Sequence, residues 1–137
     1  AKNFGADEII DPLNNNVVSA IKDLTRGEGS HKSLDCSSNS EARTQAVQCV
    51  RTWGKACFVG EGGDVNLNVS NDLIRRQVTL IGSWTFSKNG QADCASFVSE
   101  RKINVDALFT HEFKLEDAKE AYQLFDQQTT GKGVFIM

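Results

Sequence analysis

A dominant charge sign is missing from this sequence. Lys and Arg number 15 against 18 Asp and Glu, a net of -3. No basic block stands out, which argues against nucleic acid or an acidic membrane surface as partner. No apolar run approaches the length that spans a bilayer, and no signal-peptide pattern is present. A cytoplasmic protein without membrane contact is therefore expected. The four cysteines, Cys36, Cys49, Cys57 and Cys94, include no Cys-x-x-Cys pair and no histidine at ligand spacing. Reduced thiols are expected, two of them in buried strands, and no metal site is expected from these residues. The dinucleotide fingerprint Gly-x-Gly-x-x-Gly is absent, and neither Gly60-Glu61-Gly62 nor Gly131-Lys132-Gly133 completes it. There is no phosphate loop of the Gly-Lys-Ser/Thr type, and His111-Glu112 lacks the second histidine of a zinc-protease helix. His31 and His111 have no visible nucleophile partner, so no Ser/His/Asp or Cys/His set can be assembled.

What is present is a globular composition: 137 residues, 39% hydrophobic and 24% charged. That length suits a single domain with one core. The chain opens on Ala1-Lys2-Asn3-Phe4-Gly5, which reads as a helix end closed by a glycine C-cap; an upstream portion is expected. Ala6 to Ile10 reads as a short strand stopped by Asp11-Pro12. Val17, Val18, Ile21 and Leu24 share one helical face. His31 to Ser37 predicts a strand, and Ser40 a helix N-cap before the apolar stripe Ala42, Ala46, Val47 and Val50. Val65, Leu67 and Val69 alternate with polar residues as in a half-exposed strand, and Ser70 is read as the cap of a helical turn. Val78 to Gly82 is a further strand. Ser87 caps a helix through Ala92, Ala95 and Val98, and Val105 to Thr110 is a short apolar segment. Leu115, Ala118, Ala121, Tyr122 and Phe125 give one more helix face. Thr129-Thr130-Gly131 turns into a last strand, Gly133 to Met137. Strands alternating with helices predict an α/β fold whose sheet is mostly parallel, with helices on both faces.

The stretch Gly54 to Gly63 stands at the centre of this pattern. Cys57-Phe58-Val59 is apolar without alternation, as in a strand covered on both faces. It ends in Gly60, Gly62 and Gly63, where a ligand can approach bare backbone. Ligands of open α/β sheets sit beyond the carboxyl ends of the strands, so this end is the candidate binding surface. On residues alone, an ordinary strand-to-loop turn is the alternative. Asp35, in an otherwise apolar strand, reads as a strand-end residue tied to backbone N–H groups, with a functional carboxylate as the alternative.

An ordered series of segments then carries a resemblance. They are Ala1-Lys2-Asn3-Phe4-Gly5-Ala6-Asp7, Leu34-Asp35-Cys36-Ser37, Gly54-Lys55 through Val59-Gly60, Thr79-Leu80-Ile81-Gly82-Ser83, Asp106 through His111, Ala118 through Phe125, and Gly131-Lys132-Gly133-Val134. In this order and spacing the whole chain resembles the C-terminal part of zinc-containing medium-chain alcohol and polyol (sorbitol- or iditol-like) dehydrogenases. The resemblance implies that residues 1–137 are the C-terminal part of an NAD(P)-binding Rossmann domain. It implies a partial Rossmann fold lacking the first two strands, the glycine fingerprint and the ribose-holding acidic residue. The N-terminal catalytic domain, with its zinc ligands, would lie outside the chain, so that zinc belongs to the parent and is not bound here.

By position, the resemblance places Cys36 and Ser37 beside the adenosine side of the cofactor cleft. Val59, Gly60 and Glu61 line the nicotinamide, Gly82, Ser83 and Trp84 approach the same ring, and Lys132 reaches the pyrophosphate. The family often has Gly where Ser38 stands and an apolar residue where Glu61 stands; a carboxylate there favours the positively charged oxidised nicotinamide. No residue of this chain is assigned a catalytic role. The implied function is hydride transfer between an alcohol and NAD or NADP by the parent, with this chain supplying half the cleft and inactive alone. The alternative is a stand-alone, non-enzymatic nucleotide-binding or assembly module. Open sheet edges at Asp7 to Ile10 and Leu34 to Cys36, and the family's pairing through the last strand near Ile81, imply a homo-oligomer.

Overall fold

The computed structural model describes residues 1–127 and 131–137. It divides into two units, Ala1–Thr85 and Phe86–Met137. Among the described residues no helix is long and apolar enough to cross a membrane.

In the first unit, α1 (Val17–Leu24) is capped by Asn16, whose side chain accepts from the Ser19 N–H. Next come β1 (Ser30–Asp35), α2 (Ser40–Gln48), β2 (Val50–Phe58) and β3 (Thr79–Gly82). The three strands form one parallel sheet in the order β1-β2-β3. β2 begins at Val50, well before the predicted Cys57. Residue 50 thus belongs to the strand and not to the helical stripe. The helix cap is Asn39, which accepts from the Ala42 N–H; Ser40, one position on, is the first helical residue. Arg76 donates to the carbonyls of Val47 and Gln48 at the end of α2 and of Val50 at the start of β2, satisfying backbone acceptors there.

Register explains the packing. Ser33 pairs with Ala56 and that with Leu80; Leu34 pairs with Cys57 and that with Ile81. Side chains alternate between faces along a strand, so α2 covers the Ser33–Ala56 face. The Ser33 hydroxyl donates to the Ala46 carbonyl at 2.6 Å, and Val47, Val50 and Ala56 form the buried core. The opposite face carries Leu34, Cys57 and Ile81 around a shallow cleft with Lys32 and Lys55; Leu34 and Ile81 are exposed.

Two predicted strands of this unit are absent. Gly5 closes a short 3-10 turn in the left-handed region, as a glycine cap should, but residues 6–10 form no ladder. No described strand lies beside them, and an unpaired strand is not stable. Residues 64–68 are likewise irregular, and a π-helical turn follows at Val69–Ile74. Its cap is Asn68, not Ser70. Both edges of β2 are already taken, which leaves the alternating stretch nothing central to pair with. All four cysteines are free thiols, as expected, but their burial differs: the buried one is Cys49 just outside a strand, Cys57 in β2 is half-buried, and Cys36 is exposed.

The second unit contains α3 (Lys88–Glu100), β4 (His111–Lys114), α4 (Ala118–Asp126) and β5 (Gly133–Ile136). Ser87 caps α3, accepting from the Gly90 N–H. The apolar segment before β4 is a short 3-10 turn at Asp106–Leu108. β4, unread in the sequence, pairs in parallel with β5. Phe113, Phe125 and Phe135 pack together there, Phe125 edge-on to Phe113. The turn predicted at Thr129-Thr130 lies outside the described residues.

Candidate functional site

The register of the first sheet brings its three carboxyl ends level. Asp35 pairs with Phe58, and Phe58 with Gly82. The pairing runs on past the strands: Val59 and Gly60 donate to the Asp35 carbonyl, and Ser83 donates to that of Phe58 at 3.0 Å. Three short segments therefore leave the sheet along one edge. They carry Cys36 and Ser37, then Val59, Gly60 and Glu61, then Gly82, Ser83 and Trp84. All but the half-buried Gly60 are exposed, Trp84 at 68%. Eight of the nine residues expected at a cofactor site thus share one sheet edge. The ninth, Lys132, lies in the second unit, where its N–H donates to the Thr110 hydroxyl at 2.8 Å.

Beneath this edge sits a polar tie. Asp35 is buried, at 4% exposed. Its carboxylate accepts from the Ser37 N–H at 3.0 Å, the Ser37 hydroxyl at 2.6 Å, the Ser38 N–H at 3.3 Å and Arg43 Nε at 3.2 Å. Burial pushes its pKa upward, but the bonds from Ser37, Arg43 and Ser38 outweigh that and hold the carboxyl below its usual range. The remaining Arg43 nitrogens donate to the carbonyls of Gly63, at 2.9 Å, and Gly60. Its guanidinium carbon lies 5.4 Å from the centre of the Phe58 ring.

Bare backbone matters at two points here. A Cβ on Gly60 would stand 2.5 Å from the Ser38 nitrogen, and one on Gly63 would strike the Ser38 carbonyl. Ser38 itself has φ 61, a left-handed conformation that glycine adopts without strain.

Of the two charged groups in this tie, one is legible in the sequence. Asp35 was expected to bind backbone N–H groups, and does. Arg43 was missed, because a single arginine in a helix of mixed composition reads as solvated; its one signal is an aspartate at a strand end eight positions earlier.

Comparison with known proteins bears on this arrangement. The family model described as "Zinc-binding dehydrogenase" matches residues 1–100. The chain belongs to the zinc-binding dehydrogenase family. Within that family's wider kin, the zinc-type alcohol dehydrogenase-like protein YphC of Escherichia coli (strain K12) is 39% identical over 114 residues, 83% of this chain and 32% of that protein. L-threonine 3-dehydrogenase of Pyrococcus furiosus is 30% identical over 148 residues, 100% of this chain and 40% of the relative. The fold is that of a solved alcohol dehydrogenase from Thermotoga maritima: TM-score 0.85, 23% identity, covering 98% of this chain and 38% of the other. The chain thus spans 32% and 40% of the length of these two curated relatives.

A zinc-binding dehydrogenase implies zinc and a nicotinamide cofactor in the whole protein. Among the described residues no group of three or more His, Cys, Asp or Glu could hold a metal ion, so these residues do not fit a zinc site. The backbone at this sheet edge is open instead. A Cβ on Gly82 would meet nothing within 4 Å, and Trp84 stands exposed two residues on.

Proposed function

We propose that this chain supplies one side of the nicotinamide-cofactor cleft in a zinc-dependent, NAD(P)-linked alcohol or polyol dehydrogenase. The carrying observation is the level alignment of three strand ends, which gathers eight candidate residues from three separate stretches onto one edge. Cys36 and Ser37 take the adenosine side. Val59, Gly60 and Glu61 take one side of the nicotinamide position, and Gly82, Ser83 and Trp84 the other. Lys132 is assigned to the pyrophosphate. The chemistry supplied by the bound nicotinamide is hydride exchange with a carbinol carbon of the substrate. The residues here bind, orient and exclude water; none is assigned to proton transfer or to polarising the substrate oxygen. The similarity to an L-threonine 3-dehydrogenase supports a small hydroxylated substrate. Turnover belongs to the whole protein, and the 137 residues alone are expected to have none.

Trp84 offers the test. With Trp53 replaced by Phe, the whole protein is titrated with NAD and NADH while indole fluorescence is followed. Saturable quenching that disappears on Trp84→Phe is the expected result. Glu61→Gln is expected to narrow the preference for oxidised over reduced cofactor. A protein whose fluorescence and calorimetric signal ignore both cofactors sinks the reading. Saturable binding by the isolated chain, without turnover in the whole protein, would instead favour a nucleotide-binding module.

A further inference from the structure

We propose that Arg43 is a positioning residue for the cofactor, acting through the glycine turn and not by contact; this rests on the cofactor reading above. Arg43 is 7% exposed, and Val47 is fully buried one turn further along the same helix, so both face the sheet. An apolar residue would pack there without desolvating a charge, and a buried ion pair seldom outdoes a well-packed apolar replacement. The guanidinium does something an apolar group cannot. It holds one carboxylate and two carbonyls at once: Asp35, Gly63 and Gly60.

Those two carbonyls decide where the turn points its donors. In a planar trans peptide the C=O and the following N–H face opposite ways. Drawing the Gly60 and Gly63 carbonyls toward Arg43 therefore turns the N–H groups of Glu61 and Asp64 away from it. Neither N–H has a hydrogen-bond partner among the described residues, and both residues are exposed. Between them lies Gly62, at φ 79, where a Cβ would meet nothing within 4 Å. The result is a pair of unspent donors on an uncluttered turn at the sheet edge. They suit acceptor oxygens of a cofactor, as the carboxamide of a nicotinamide provides. Lysine could answer Asp35 but not hold both carbonyls, since its ammonium is a point charge and not a planar fork.

Two variants of the whole protein test this: Arg43→Lys, and the double change Asp35→Asn with Arg43→Met, which strands no charge. Cofactor Kd, KM for cofactor, kcat and melting temperature are measured together. The expected result is cofactor binding weakened about tenfold, the equivalent of one lost hydrogen bond. A cooperative melt is retained, and kcat at saturating cofactor stays near that of the unaltered protein. A folded variant with unchanged cofactor Kd overturns the proposal while leaving the cofactor reading standing. An unaltered protein that binds no cofactor overturns both. Loss of the fold in both variants assigns the pair to stability alone and also overturns the proposal.

Discussion

Asp35 shows how one carboxylate can be buried and still be more acidic than usual. Its four donors come from Ser37, Ser38 and Arg43, and together they outweigh desolvation. The direction of the shift fixes the sign of a pH effect. A carboxyl whose folded pKa is depressed stabilises the fold fully above its unfolded value, about 3.9. That stabilisation is lost as pH falls through the lower folded value. Denaturant melts at pH 6 and pH 3 should therefore show a loss on acidification that shrinks in Asp35→Asn. An equal loss in both proteins would contradict the assignment. Half of this site was legible in advance: an aspartate at a strand end, followed by two serines, predicts bonds to backbone N–H groups. The arginine half was not, because its burial depends on the glycine turn folding back over α2, a contact some twenty positions away along the chain.

At the scale of elements, local pattern succeeded where a partner strand was present in the chain. The strands read at 31–37 and 78–82 exist because β2 lies between them. The stretch at 65–69 alternates correctly and the one at 6–10 ends in two isoleucines, but neither has a described neighbour to complete a ladder. Periodicity reports which face would be buried, not whether a neighbour exists. The start of β2 was hidden for a different reason. From Ser30 to Lys32 the first strand advances two residues, while β2 advances five, from Val50 to Lys55. The surplus loops out at Arg51 to Gly54, and the loop puts Trp53 at φ 64. A bulky side chain is strained there, and Trp53 is 68% exposed with little packing to lose. Trp53→Gly is expected to raise stability by about 1 kcal/mol, the scale of the left-handed penalty. It keeps the N–H that donates to the Arg76 carbonyl at 2.9 Å. A urea midpoint that falls in this variant would refute the argument.

For the molecule as a whole, the α/β class and the parallel order followed from alternation of helix and strand, and the family followed from ordered segments. The division at Thr85 and Phe86 did not, because no proline- or glycine-rich linker marks it. Among the described residues the outer edge of β3 is unpaired and Ile81 on it is exposed, which leads us to expect a homo-oligomer. Light scattering of the whole protein across a dilution series should give a mass above that of one chain; a monomer throughout would refute it.

The looped-out residues in β2 have one more consequence, for how such a chain can vary in length. Inserting one residue inside a paired strand sends every following side chain to the other face. Between Lys55 and Phe58, that would turn the core-facing Ala56 register outward and carry Gly60 away from Ser38. Between Arg51 and Gly54 the ladder is already interrupted, so a gained or lost residue can be taken up before pairing resumes at Lys55. The loop works as a slack joint at the amino end of the sheet, leaving the chain free to drift in length there while the opposite edge keeps its spacing.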